Sequence, residues 1–347
     1  MSKTFFAAAL AATLLVAACA GQPKTAAAPA APPAPPPPER SITQLAGDVY
    51  RWQDNQHFGV VLVTSDGIVI ADPLNKAASE WLKGELATKF PDKPVKYVLY
   101  SHKDFDHASG AATFPDARVI SQEDTKKLLV PPAADAPITG FAAGLDTNKD
   151  GKLQKAEVES NPFFGPQWDN YDADKNGEVT ALELFKVQFA DVRPPDGTFK
   201  NNYTLTLGGQ SVKLIHVGGS HSSDMSFMVF PGDILFVVDV ISLKRVPFGG
   251  LADYDEAELN GLIGKAKALN PKMITGGHGS VGTVADLADL QQYYKDLIDG
   301  VKAGIAAGQS LEQIQASLTL DKYKDWANYQ MRPQNIAGIY AKLTAKS

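Results

Sequence analysis

Hydrophobic and polar positions divide the chain into two batches of strand-like runs, each followed by helical spacing. The first batch is "DVYRW", "FGVVLVTS" and "GIVIADP" between residues 48 and 73. These are short β-branched and aromatic runs separated by turn residues, the pattern of an antiparallel start to a sheet. Residues 76–89 then place Trp81, Leu82 and Leu86 at helical spacing. "VKYVL" (95–99) reads as a buried strand, "ARVISQ" as another, and "EDTKKLLV" as a helix. The second batch is "YTLTL", "SVKLIHV", "SFMVF" and "ILFVVDV". Helices are predicted at 255–268, 283–307, 310–317 and 333–344, with the strand-to-loop run "PKMITGGH" after the first of them. Two batches of strands, each with helices, predict an α/β chain with two stacked sheets between helical layers, an αββα sandwich.

Two stretches fall outside this pattern. Residues 20–38, "AGQPKTAAAPAAPPAPPPP", are Ala/Pro low complexity that buries no core and favours extended polyproline II. Residues 132–195 replace the strand pattern with polar, Asp- and Gly-rich loops. The expected organisation is therefore a leader at 1–18, a linker at 19–40, a first sheet portion at 41–131, an insertion at 132–195, and a second portion at 196–347.

Composition narrows the function. The chain has 347 residues, of which 44% are apolar and 21% charged, as a packed globular protein requires. Its net charge of -6 and the lack of a basic patch argue against a nucleic-acid partner. The single cysteine, Cys19, excludes an internal disulfide. It closes a signal-like segment, with Lys3 ahead of the apolar run Phe5–Val16 and small residues Ala17 and Ala18 before the cysteine. The run is shorter than the ~20 residues needed to span a bilayer. This arrangement resembles a bacterial lipobox, which implies cleavage before Cys19 and lipid attachment to it. The expectation is an exported lipoprotein held to a membrane by its N-terminal lipid. Ala20 after the cysteine points to the outer membrane on the periplasmic side. The expected ligand of such a protein is a small-molecule substrate; oligomeric state is not legible.

The insertion carries two twelve-residue loops, "DTNKDGKLQKAE" (146–157) and "DADKNGEVTALE" (172–183). Oxygen donors fill positions 1, 3 and 5: Asp146, Asn148 and Asp150 in one, Asp172, Asp174 and Asn176 in the other. Gly151 and Gly177 stand at position 6, Lys152 and Glu178 at the backbone-carbonyl position 7, and Glu157 and Glu183 at position 12. This is the EF-hand pattern, repeated in tandem with every demanded position filled, and it predicts two Ca²⁺ sites. In an exported protein weak sites stay filled, so a structural role for calcium is expected over signalling.

A second constellation surrounds "YSHKDFDHASG" (100–110). His102, Asp104, Asp106 and His107 crowd the loop after a strand; His221 lies in "HVGGSHSSD", Asp239 ends "ILFVVD", and His278 lies in "ITGGHGS". In this order the residues resemble the metallo-β-lactamase superfamily, whose pattern is H-x-H-x-D-H, a G-x-x-H, an Asp after an apolar strand, and a G-H-G. The phrases around the ligands look most like exported hydrolases grouped with quinoprotein-associated zinc metallohydrolases. The resemblance implies two divalent transition metals, zinc first and Fe or Mn as alternatives. His102, Asp104 and His221 would hold one metal, Asp106, His107 and His278 the other, with Asp239 bridging. It implies a metal-bridging hydroxide as nucleophile, oriented by Asp106 as the catalytic carboxylate, attacking an ester, lactone, thioester or similar bond. Asp239 sets the chain apart from true zinc β-lactamases, which place Cys or Ser near that position.

Asp104 departs from the pattern, because the family has histidine there. An aspartate is itself a ligand and hardens the first site, which widens the metals to Fe and Mn. It also resembles the flavodiiron branch, which has Glu there and reduces O₂ or NO, although the flavodoxin-like domain of that branch is missing. Two rivals to hydrolysis therefore stand: a non-catalytic, calcium-dependent scaffold lipoprotein, and a di-iron redox protein. His57 precedes a strand on the active-site side and could touch substrate, but it and His216 are expected to be ordinary core or surface histidines; Lys244 and Arg245 could bind an anionic substrate group but are expected to be solvated.

Overall fold

In the computed structural model, residues 36–161, 163–251 and 254–345 are described. The leader, Cys19 and most of the linker lie outside them. Pro38–Ser347 forms one compact unit.

Among the described residues, fourteen strands make up three sheets. The first sheet takes β1 (Arg40–Ala46), β2 (Val49–Asp54), β3 (His57–Thr64), β4 (Gly67–Ala71), β5 (Val95–Leu99) and β6 (Arg118–Gln122). The insertion follows with the two-residue strands β7 (Leu153–Gln154) and β8 (Glu178–Val179), after which β9 (Gly197–Phe199) completes the first sheet in the order β1-β2-β3-β4-β5-β6-β9. The second sheet is the continuous run β10 (Asn202–Leu207), β11 (Gln210–His216), β12 (Ser226–Phe230), β13 (Ile234–Val237) and β14 (Met273–Gly276). Gly208 and Gly209, both at positive φ, make the two-residue turn between β10 and β11, as a primed hairpin turn demands.

The layers follow from which faces are apolar. Between the sheets, Val60, Leu62, Val69 and Leu99 of the first meet Val212, Leu214, Met228 and Phe236 of the second. The opposite face of the first sheet, with Val61, Ile68, Ile70 and Val98, packs on Ala78, Leu82 and Leu86 of the helix Lys76–Lys89. Leu82 and Leu86 are buried and Trp81 only partly so. The outer face of the second sheet packs on the helix Glu256–Ala268 and on the N-terminal end of the helix Asp286–Ala306 through Leu259, Leu262, Ile263, Leu287 and Leu290. Sandwiched strands lose the in/out alternation of a half-exposed strand, and six consecutive residues of β3 are buried. Edge strand β1 is more polar and part-exposed. The αββα sandwich is therefore formed, and the predicted helices at 76–89, 255–268, 283–307, 310–317 and 333–344 appear within three residues of those bounds. The last two, Leu311–Ser317 and Arg332–Thr344, close around the helix Asp286–Ala306 through Ile314, Ile336 and Ile339.

The insertion has its own small core of Leu153, Val158, Phe164, Trp168, Tyr171, Val179 and Leu184. β7 and β8 pair antiparallel, Leu153 opposite Val179, which ties the two acidic loops together.

Candidate metal centre

Strand direction decides which residues meet. β4 and β5 run parallel, as do β13 and β14, so their C-terminal ends open on one edge of the sandwich. β3 is antiparallel to β4, and β12 to β13, so the start of β3 and the loop before β12 reach the same edge. His102 and Asp104 follow β5, Asp239 follows β13, His278 follows β14, His221 precedes β12, and His57 opens β3.

Two donor clusters form there. In the first, His102, Asp104, His221 and Asp239 each offer one atom within 4.8 Å of the others. His102 Nε2 lies 3.2 Å from Asp104 Oδ2 and 3.0 Å from Asp239 Oδ2. His221 Nε2 lies 3.3 and 3.2 Å from the same two oxygens. In the second, His107 and His278 bring their Nε2 atoms to 3.2 Å, and Asp239 Oδ1 is 3.1 Å from His278 Nε2. Asp106 Oδ2 sits 3.5 Å from His107 Nε2 and 3.8 Å from that of His278. Asp239 thus stands between the clusters, with Oδ2 toward His102 and His221 and 3.6 Å from His107 Nε2, and Oδ1 toward His278, from a left-handed backbone of φ 55°. A non-glycine residue there is strained, a cost typical of functional positions.

These spacings fit a metal. Ligand atoms ~2.1 Å from a tetrahedral ion lie ~3.4 Å apart. The Nε2 atoms of His102 and His221 are buried and, although Asp104 and Asp239 lie 3.0–3.3 Å away, make no aligned hydrogen bond, which leaves them placed to turn a lone pair to an ion. The ring orientations are fixed from behind. Ser101 Oγ donates to Asp72 Oδ2 at 2.7 Å and so meets His102 Nδ1 (3.0 Å) with a lone pair. His278 Nδ1 donates to the Gln56 carbonyl at 2.9 Å. Both leave Nε2 bare toward the cluster, the arrangement that metal-ligating histidines need. Gly277 is obligatory, since a Cβ there would lie 2.7 Å from the His107 ring.

Charge reinforces the pairing. Burial opposes protonation of His102 and His221, but Asp104 and Asp239 outweigh it and raise them to about 9 and about 10. Burial opposes His107 in the same way, and Asp106 and Asp239 hold it well above the usual range. Burial pushes Asp104 and Asp239 up, yet the facing histidines pull both well below the carboxylate range. Asp106, opposed by burial and held down by His107 and His57, falls to about 2. Burial lowers His278.

The protein's sequence agrees with this geometry: the profile of the metallo-β-lactamase superfamily matches residues 52–278. The chain belongs to the metallo-β-lactamase superfamily. Solved structures are similar to it at low identity. A metallo-β-lactamase from Pontibacter korlensis is 19% identical over 73% of this chain and 98% of its own, with a TM-score of 0.48. The sec-alkylsulfatase Pisa1 from Pseudomonas sp. is 14% identical with a TM-score of 0.56, covering 89% of this chain, which spans about half (51%) of the sulfatase. No curated protein matches.

All seven residues expected as ligands converge on this superfamily member's sheet edge, Asp104 included. Asp104 Oδ1 also forms an ion pair with Lys103, whose ammonium lies 5.4 Å from the Phe189 ring at the end of the insertion's last helix. Two readings need correction, and one residue was missed. Arg245 is buried, 8% exposed, because its backbone pairs with Ala327 and its guanidinium meets the Asn328 amide; only Lys244 is exposed. His57 is not an isolated core or surface residue, since its Nε2 lies 3.3 Å from Asp106 Oδ2. Asp72 goes unmarked by the sequence pattern, yet it is fully buried and accepts from Ser101 N and Oγ, both at 2.7 Å, with His107 Nδ1 at 3.4 Å. Its only signal is an Asp closing the apolar strand "GIVIAD". His216 stays outside the cluster and meets the Ser223 carbonyl at 2.8 Å.

The two acidic loops place positive φ at the same two positions. Lys149 and Gly151 in the first, and Lys175 and Gly177 in the second, adopt positive φ. Asp146 accepts from Lys149 N and Gly151 N, while Asp172 accepts from Asn176 N and Gly177 N. Asp172, Asp174 and Glu183 offer oxygens within 4.8 Å of one another.

Proposed function

We propose that the protein is an exported, lipid-anchored di-metal hydrolase that cleaves an ester, lactone, thioester or similar bond and carries a calcium-binding EF-hand pair. The observation that carries the catalytic reading is Asp239, whose carboxylate lies between the two His/Asp clusters, Oδ2 toward His102, His221 and His107 and Oδ1 toward His278. His102, Asp104 and His221 would hold one ion, and Asp106, His107 and His278 the other. Bound metals supply Lewis acidity toward the scissile group and lower the pKa of water. Asp106, ionised at neutral pH, accepts a hydrogen bond from the attacking water and aims it. The buried backing of Asp72 and Ser101 keeps the donors from relaxing as charge develops. Zinc is the first candidate metal.

The calcium reading is supported by the matched positive-φ positions of the loops and the β7–β8 pairing. Asp146, Asn148, Asp150, Lys152 (through its carbonyl) and Glu157 would serve one ion. Asp172, Asp174, Asn176, Glu178 (through its carbonyl) and Glu183 would serve the other. Export and anchoring rest on the sequence around Cys19, and kinship to the quinoprotein-associated hydrolases on the phrases around the ligands.

A second reading, a di-iron redox centre, is favoured by Asp104, which gives the first cluster two carboxylates and two imidazoles. Hydrolysis of ester, lactone and thioester panels by zinc-loaded protein, compared with Asp106→Asn, tests the main reading. Turnover that survives in the variant overturns it; a coloured, iron-bearing protein promotes the second.

A further inference from the structure

Five of the six histidines in the chain meet at this centre, and one of them has no place in the ligand set above. We infer that His57 is a direct ligand of the second metal position. The inference rests on the di-metal reading just given. His57, Asp106 and His278 each present a donor atom within 4.8 Å of the others. The 3.3 Å from His57 Nε2 to Asp106 Oδ2 equals the spacing between donors of the first cluster. The His57 ring meets that of His278 edge-on, with centroids 4.8 Å apart.

The backbone holds His57 in that place. On one side of it, the Gln56 carbonyl accepts from His278 Nδ1 at 2.9 Å. On the other, Phe58 N donates to the Gly277 carbonyl at 2.8 Å. The loop bearing His278 is therefore clasped at both neighbours of His57, which fixes the His57 backbone beside His278. The His57 side chain is about a third exposed (35%), on the open side of the cluster.

The assignment also accounts for Asp104. The first position, with Asp104 and Asp239 as oxygen donors, is oxygen-rich. The second, with His57, His107 and His278, is imidazole-rich. An imidazole given up beside His102 is recovered across the centre, and the two positions become chemically unlike.

The test uses the full-length protein, zinc-loaded, with His57→Ala and His57→Gly. Zinc affinities come from chelator competition, and imidazoles per zinc from X-ray absorption. The expected result is two zinc ions in the parent protein with five imidazoles between them. His57→Ala keeps the first ion, binds the second at least ~10-fold more weakly and shows four imidazoles. Added free imidazole restores the second ion in His57→Gly. An unchanged second affinity in His57→Ala overturns the assignment. So does a weakened affinity with an unchanged imidazole count, which would mean that His57 only steadies Asp106. Both results leave the di-metal reading standing. A parent protein that takes up neither zinc nor iron overturns that reading and this assignment together.

Discussion

Asp72→Asn is the substitution that separates the scaffold of the centre from its ligands. Asp72 is fully buried behind the loop that bears His102 and His107. It accepts two hydrogen bonds of 2.7 Å from Ser101 and lies 3.4 Å from His107 Nδ1. Its backbone is left-handed, φ 53°, which asparagine tolerates as well as aspartate does. In the variant the amide oxygen keeps the bond from Ser101 N, whereas the amide NH₂ opposes the Ser101 hydroxyl and His107 Nδ1. One charge-assisted bond is lost, worth about 1.5–3 kcal/mol. Asp72→Ala loses both and costs about 3–6 kcal/mol by the same arithmetic. With His102 and His107 no longer aimed from behind, zinc affinity falls about 10- to 100-fold. Urea unfolding and chelator competition measure the two effects separately. Asp72→Asn protein that binds zinc as tightly as the parent would refute the claim that this carboxylate orients the donors.

Four further outcomes are expected. Leu214→Ala, in the fully buried layer between the sheets, costs about 2–5 kcal/mol in urea unfolding, because the rigid sheets leave a cavity. Glu183→Gln leaves one calcium per chain where the parent binds two, read by calorimetric titration. The metal-free protein loses urea stability as pH rises from about 6.5 through 9 to 10, because His102 and His221 are raised to about 9 and about 10 and the favourable ion pairs exist only while they are protonated. On the acid side stability falls below pH ~4, as Asp104 and Asp239, held low, are forced to take up protons. Zinc loading displaces the histidine protons, so proton release accompanies binding near pH 7 and zinc affinity climbs with pH; pH-stat titration reads both.

The loop of candidate donors was legible because its chemistry is compressed into six consecutive residues, His102 to His107, after an unmistakable strand. The candidate donors of the second sheet were legible because each lies beside an apolar run. The acidic loops announce themselves by twelve-residue spacing. What stayed hidden depends on neighbours distant in sequence. Asp72 acts across a parallel strand pair on Ser101, and one strand-terminal Asp reads like any other. His57 reaches the centre only because β3 runs opposite to β4, so that its first residue lies beyond the C-terminal end of β4 and next to Phe58, which bonds the loop after β14. Arg245 was misjudged since "LKR" reads as solvated charge, whereas its cover comes from Ala327 and Asn328, over eighty residues away. Asp104 was legible as a departure, and the structure adds its two faces: one oxygen toward His102 and His221, the other on Lys103 beside the insertion.

The most direct measurement is elemental analysis of the full-length protein, purified without a histidine tag and dialysed free of loose ions. Two transition-metal ions and two calcium ions per chain are predicted. Calcium alone, with no transition metal retained after reloading, would contradict the central claim that these seven residues form a di-metal centre.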